Sequence, residues 1–161
     1  MRQGKILQVG TPDELYTKPN SIFVANFIGE SNFFNGHVFE NNEIGAKIKM
    51  RAGGPLIQTA DKSRKIGESV VFSIRKEFVK LRPLDSRDAY TIKGKIQTIS
   101  FLGSYLRVYC KLSNLDSIEA KITYPPRFPM KEGDEVLLKL HPENVMVYDY
   151  PKNLEYELAL E

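Results

Sequence analysis

Most of the chain alternates between apolar and polar positions. Val70, Phe72 and Ile74 interleave with Val71, Ser73 and Arg75. Leu106, Val108, Cys110 and Leu112 interleave with Tyr105, Arg107, Tyr109 and Lys111. Val136, Leu138 and Leu140 interleave with Leu137, Lys139 and His141. Successive side chains leave a strand on opposite faces, so a period of two with one apolar phase predicts half-buried strands. Turn formers separate the runs: Asn41-Asn42, Gly53-Gly54-Pro55, Pro125-Pro126 and Gly133-Asp134. Many short strands at this spacing predict a barrel or sandwich over residues 31–150.

The first thirty residues read differently. Lys5–Val9 predicts a short strand ending at Gly10. Thr11-Pro12-Asp13-Glu14 then starts a helix: Thr11 caps, Pro12 suits the first helical position, and Glu14 closes a capping box. Pro19 stops that helix. Ser21 caps a second helix, Ile22 to Ile28, with Gly29 placed to end it and Phe23, Phe27 and Ile28 as its apolar stripe. At the other end, Lys152 to Glu161 carries three glutamates and is expected to fray or form a terminal helix.

The chain also repeats itself. Gly67-Glu-Ser-Val-Val-Phe-Ser-Ile-Arg-Lys-Glu-Phe-Val-Lys-Leu81 aligns with Gly133-Asp-Glu-Val-Leu-Leu-Lys-Leu-His-Pro-Glu-Asn-Val-Met-Val147. Asn35-Gly36-His37-Val38 likewise parallels Lys93-Gly94-Lys95-Ile96. A repeat of this kind predicts two related β units, 31–88 and 89–150, between a leader (1–30) and a tail (151–161). Neither unit is long enough to bury much core alone, so they should pack together.

Composition narrows the function. The chain has 161 residues, 42% hydrophobic and 27% charged, with 23 Lys+Arg against 20 Asp+Glu. A near-balanced charge argues against a dedicated nucleic-acid binder. The densest basic run, Lys62-Ser-Arg64-Lys65, reads as a solvated loop tip. One cysteine excludes an intrachain disulfide, fits a reducing compartment, and reads as a core thiol. No apolar run approaches the roughly 20 residues that span a bilayer, and the N-terminus lacks a signal-peptide core. A cytoplasmic protein without membrane insertion is expected.

The sequence holds no G-x-x-x-x-G-K-[ST], no G-x-S-x-G and no His-Glu-x-x-His. Glu77 and Glu143 occupy matching repeat positions, which favours a shared structural role such as accepting turn N–H groups. Arg75 is placed for a local ion pair with Glu77 or for an interface. Tyr105, Arg107, Tyr109 and Lys111 should project from one strand face. Such a stripe suits a plain barrel exterior, a protein interface or a stacking platform for single-stranded nucleic acid.

The leader carries a more specific signal. Met1-Arg-Gln-Gly-Lys-Ile-Leu-Gln-Val-Gly-Thr-Pro-Asp-Glu-Leu-Tyr-Thr-Lys-Pro19, with Phe23-Val-Ala-Asn-Phe-Ile-Gly29 and Asn32, resembles the junction segment of ABC-importer ATPases. There it follows the pattern G-x-I-x-Q-x-G-T-P-x-E-[IL]-Y-x-x-P…F-V-A-x-F-[IL]-G-x-x-N. The remainder resembles the TOBE accessory domain that follows, an OB-like β fold. The family's I-R-P-E stands here as Ile74-Arg75-Lys76-Glu77, with Lys76 in place of proline, and again as Leu140-His141-Pro142-Glu143.

The resemblance implies a mainly β protein of two tandem OB-like units under a short helical leader. It implies a non-catalytic regulatory and dimerisation module of an importer, with the catalytic motifs upstream of Met1. Met1 would then be an internal methionine or the start of a shortened reading frame. ATP and Mg²⁺ would belong to the full-length parent, and this chain would hold no cofactor. Expected partners are a second copy, an ATPase domain and membrane permease subunits, at the inner face of the membrane. Phe27–Gly36 looks nearest to polyamine importers. A small anion or polyamine held between the two β units is a further expectation. The competing reading is a stand-alone OB-type domain binding nucleic acid or a small ligand.

Overall fold

The alternating runs become strands. A computed structural model, which describes residues 1–159, arranges them in two five-stranded antiparallel sheets. Leader helices α1 (Pro12–Thr17) and α2 (Ile22–Ile28) come first, and α3 (Leu154–Leu158) comes last. Leu160 and Glu161, the end of the expected tail, lie outside the described residues. Between them run β1 (Ser31–Asn41), β2 (Ala46–Met50), β3 (Leu56–Gln58), β4 (Ser69–Arg75) and β5 (Lys80–Arg82). Then come β6 (Thr91–Phe101), β7 (Tyr105–Lys111), β8 (Ser117–Thr123), β9 (Glu135–Lys139) and β10 (Met146–Asp149). This is the mainly β architecture with a helical leader that the sequence predicts.

The two units interlock. The first sheet has the order β10-β4-β1-β2-β3 and the second β5-β9-β6-β7-β8. Thus β5, from before residue 88, joins the second sheet by pairing Leu81 with Leu138. In return β10, from the second repeat, joins the first sheet by pairing Val147 with Phe72. Each repeat is a strand, a 3₁₀ turn and a second strand that crosses to the other sheet. The division near residue 88 is a division in sequence, not in space.

The repeat extends to details. Gly67 (φ 88°) and Gly133 (φ 91°) both take a left-handed conformation that a side chain would strain. Their N–H groups donate to Val38 O and Ile96 O, each at 2.8 Å. Val38 N and Ile96 N return bonds to Glu68 O and Asp134 O. A bulge follows in each strand, between Val38 and Glu40 and between Ile96 and Thr98.

One core joins the sheets. Val38, Ile48 and Phe72 from the first meet Ile96, Val108 and Leu138 from the second. Each such side chain contributes about 1.5–3 kcal/mol on full burial.

Three local expectations change. Strand β4 is buried on both faces rather than one, because Val71 is covered by Ile22 and Ala25 of α2 and by Tyr148. That packing also rotates the apolar stripe of α2: Ile22 to Ala25 are buried, whereas Phe27 and Ile28 are exposed. The predicted strand at Lys5–Val9 reduces to an isolated bridge between Arg2 and Lys5, and Leu7 and Gln8 bond instead to Lys18 and Asn20 in the link between α1 and α2.

Candidate functional site

The leader is clasped to the β module by one buried cation. Its helices form for local reasons: Glu14 N donates to Thr11 Oγ1 at 3.2 Å, Thr11 N returns a bond to Glu14 Oε2 at 3.0 Å, and Val24 N donates to Ser21 Oγ at 3.2 Å. Arg75, at the end of β4, then donates to Tyr16 O (3.0 Å), Ala25 O (2.8 Å) and Ser31 Oγ (3.1 Å). Its guanidinium stacks 4.4 Å from the centre of the Tyr16 ring. Burial lowers the Arg75 guanidinium below its ordinary value, and the neighbouring Tyr148 opposes this. Gly29 is needed beside it, because a Cβ there would come within 2.5 Å of Arg75 Nη1. The expected Arg75–Glu77 ion pair is therefore not formed. Arg75 points under the leader, and Glu77 lies beyond the strand in the 3₁₀ turn Lys76–Phe78.

A second clasp ties the two ends of the described chain. The Arg2 guanidinium lies between the Phe23 ring (4.4 Å) and the Tyr156 ring (3.8 Å) and reaches Glu157 at 3.6 Å. Asn26 Nδ2 donates to Leu158 O at 2.7 Å.

Tyr105, Arg107, Tyr109 and Lys111 do share the outer phase of β7, but they are not a free stripe. The Lys121 ammonium sits 4.3 Å from the Tyr105 ring centre. Arg107 Nε lies 2.7 Å from Glu119 Oε1. Tyr109 and Lys111 remain exposed.

Glu119 is the residue that alternation did not single out. It stands opposite Tyr109 on β8 and is buried. Lys76 Nζ reaches its Oε2 at 2.5 Å. Arg107 supplies charge at Oε1, yet its N–H is aimed off that oxygen, which accepts no hydrogen bond. Glu119 in turn raises the Arg107 guanidinium above its ordinary value. The sequence did carry a hint. Lys76 stands where the resemblance expects proline, and that added cation is the one that reaches Glu119.

Glu77 and Glu143 occupy equivalent 3₁₀ turns, but among the described residues neither carboxylate accepts a turn N–H. In the second turn His141 Nδ1 takes that place, accepting from Glu143 N at 3.3 Å. Glu143 shares a small cavity of about 130 Å³ with Arg75, without an ion pair between them. The predicted site residues are thus spread over three places. Cys110 is in the core, where burial pushes its thiol up to about 11. Among the described residues, no group of three His, Cys, Asp or Glu side chains is placed to hold a metal.

Two open surfaces bear on function. A groove of about 560 Å³ runs between β5 and β8, edged by Lys80, Arg82, Lys121 and Arg127. The leader exposes Ile6 (67%), Val9 (82%) and Phe27 (62%).

Comparison with known proteins agrees with this geometry. The TOBE domain family matches residues 57–147. The chain is 38% identical over 128 residues to the spermidine/putrescine import ATP-binding protein PotA of Fusobacterium nucleatum, covering 76% of this chain and 34% of that protein. It is 35% identical over 141 residues to the oligosaccharides import ATP-binding protein MsmX of Bacillus subtilis, covering 84% and 38%. It is 31% identical over 150 residues to the glucose import ATP-binding protein GlcV of Saccharolobus solfataricus, covering 91% and 38%. The chain spans roughly a third of the length of these relatives. Among solved structures, the cytoplasmic molybdate-binding protein ModG superposes with a TM-score of 0.65 at 17% identity, over 74% of this chain and 96% of that one. At that identity the likeness concerns the fold alone.

Proposed function

The chain belongs to the TOBE domain family and corresponds to the C-terminal TOBE portion of ABC-importer ATP-binding subunits, and from that premise we propose that it is a non-catalytic module that tethers two such subunits by self-association. TOBE domains are accessory to the ATPase. The observation that supports attachment to an ATPase domain is the leader, and self-association is the step that the solution mass of the chain tests. Arg75 fixes the leader to the β module and Arg2 ties it to α3, while Ile6, Val9 and Phe27 are exposed. Exposed apolar side chains gathered on one segment suit contact with another domain. In this reading an ATPase domain covers that face, and its motion reaches the β module through the clasp. Tethering raises the effective concentration of two moving catalytic halves. Nucleotide and Mg²⁺ then belong to that ATPase domain, and this chain holds no cofactor.

The place of work in this reading is the cytoplasmic side of the membrane, against permease subunits. No helix among the described residues is long and apolar enough to cross a membrane. For the transported solute we propose a polyamine, supported by the 38% identity to a spermidine/putrescine importer and by the Phe27–Gly36 stretch. Sugar importers stand close behind. Chimeras separate the two: residues 1–161 replace the matching segment of the Fusobacterium subunit or of the Bacillus subunit. Restored spermidine uptake in the first, with poor oligosaccharide uptake in the second, is the expected result. The reverse pattern excludes a polyamine, and failure of both would show that this segment replaces neither relative's.

A further inference from the structure

The second sheet does not close. Its outer strands β5 and β8 flank the 560 Å³ groove without forming a ladder between them. Hydrogen bonding on β8 fixes which main-chain groups face that gap. Glu119 N donates to Asn32 Oδ1 at 2.8 Å, and Glu119 O accepts from Asn32 Nδ2 at 2.9 Å. Glu119 therefore turns both its main-chain groups away from β7. In an antiparallel ladder this direction recurs every second residue. Lys121 and Thr123, which line the groove, must then present their N–H and C=O groups to it. Among the described residues nothing outside the sheet bonds to them. Asn32 covers the edge at Glu119, whereas at Lys121 and Thr123 the edge stands open.

The groove has a charge. Lys80, Lys121 and Arg127 have no carboxylate within 4.0 Å among the described residues, and Arg82 is paired with Asp88 at 2.8 Å. Glu77 is the single acid in the lining. Its floor is apolar, from Leu81, Ile122, Phe128 and Met130. Lysine at an open edge discourages unselected strand pairing. The same cations select a segment of opposite charge.

We propose that the seam between β5 and β8 docks an acidic, extended peptide segment of a partner protein, which adds to β8 at Lys121 and Thr123 as an extra strand. Main-chain bonds to the edge supply affinity, and alternate side chains supply selection. Glutamates on one face of the segment meet Lys80, Lys121 and Arg127, and apolar residues on the other face cover Ile122 and Phe128. The inference does not depend on the tethering role, since it concerns a different surface from the leader.

The probe is a synthetic heptapeptide of alternating glutamate and valine, titrated into the full 161-residue chain and followed by amide NMR. Shifts should be confined to β5, β8 and the loop to Met130, and amide exchange at Lys121 and Thr123 should slow at least tenfold. The same peptide N-methylated at alternate residues should bind at least tenfold more weakly. Thr123→Pro should do the same, because it removes an edge donor and no bond to β7. A lysine–valine heptapeptide should not bind. The proposal is overturned if the glutamate peptide fails to bind, or if the N-methylated form binds equally well, which would leave charge alone. It is also overturned if oligouridine RNA occupies the groove more tightly than the peptide and is indifferent to Thr123→Pro, which would make the surface a nucleic-acid platform.

Discussion

The Asn32 side chain imitates a strand against Glu119. Its amide donates to Glu119 O at 2.9 Å and accepts from Glu119 N at 2.8 Å, so one side chain of the first sheet completes the edge of the second. Both residues are buried. Loss of the amide strands two main-chain groups away from water, at a cost of about 1–3 kcal/mol for each unsatisfied group. Asn32→Ala should lower unfolding stability by about 2–4 kcal/mol, read by urea denaturation. Asn32→Asp should be similarly harmful, because it replaces the donor with a buried charge near Glu119.

Lys76 and Glu119 form the second cross-link between sheets, at 2.5 Å. Removing Glu119 leaves Lys76 and Arg107 without their acid, and removing Lys76 leaves Glu119 with Arg107 alone. Glu119→Gln and Lys76→Ala should each cost about 1–3 kcal/mol. A double-mutant cycle should return a coupling of about 1 kcal/mol or more. Strict additivity would show that the pair is a surface contact without consequence.

Much of this was legible in the sequence, and the omissions have physical causes. Alternation marked β4, β7 and β9, and the repeat marked the equivalent turns, because both features are local. The exchange of β5 and β10 was not legible. Three- and four-residue strands carry too little periodicity to say which sheet they join. The tyrosine stripe does share one face of β7, but its neighbours Lys121 and Glu119 sit across the hairpin on β8, in a register that periodicity alone does not set. Proximity along the chain offers Arg75 an ion pair with Glu77 or an interface contact. Its actual partners are main-chain carbonyls of Tyr16 and Ala25, and carbonyls leave no trace in composition.

Arg75 holds the leader by a forked guanidinium, which lysine cannot reproduce. Arg75→Lys should loosen α1 and the link to α2, which Arg75 holds through Tyr16 O, while α2 stays packed on Val71 and the β module is spared. Limited proteolysis should then cut near residues 17–21 at least tenfold faster, with the β-strand amides still protected. A global loss of structure would mean instead that the clasp is part of the core.

Cys110 tests the core through its chemistry. Its thiol is raised from the ordinary 9.0 to about 11 by burial, so the folded state holds the proton that the unfolded state releases. Its contribution is present below pH 9 and is lost as pH rises towards about 11, a change of about 2–3 kcal/mol. The difference in stability between the native chain and Cys110→Ala should shrink across that window. Iodoacetamide at pH 8 should label the folded chain at least a hundredfold more slowly than the chain in urea.

The tethering claim is tested most directly by the solution mass of the chain, by light scattering across a concentration series from micromolar to millimolar. A mass rising to twice the 18.4 kDa of one chain is the predicted result. A mass that stays at one chain throughout would contradict self-association of this module, and with it the tether.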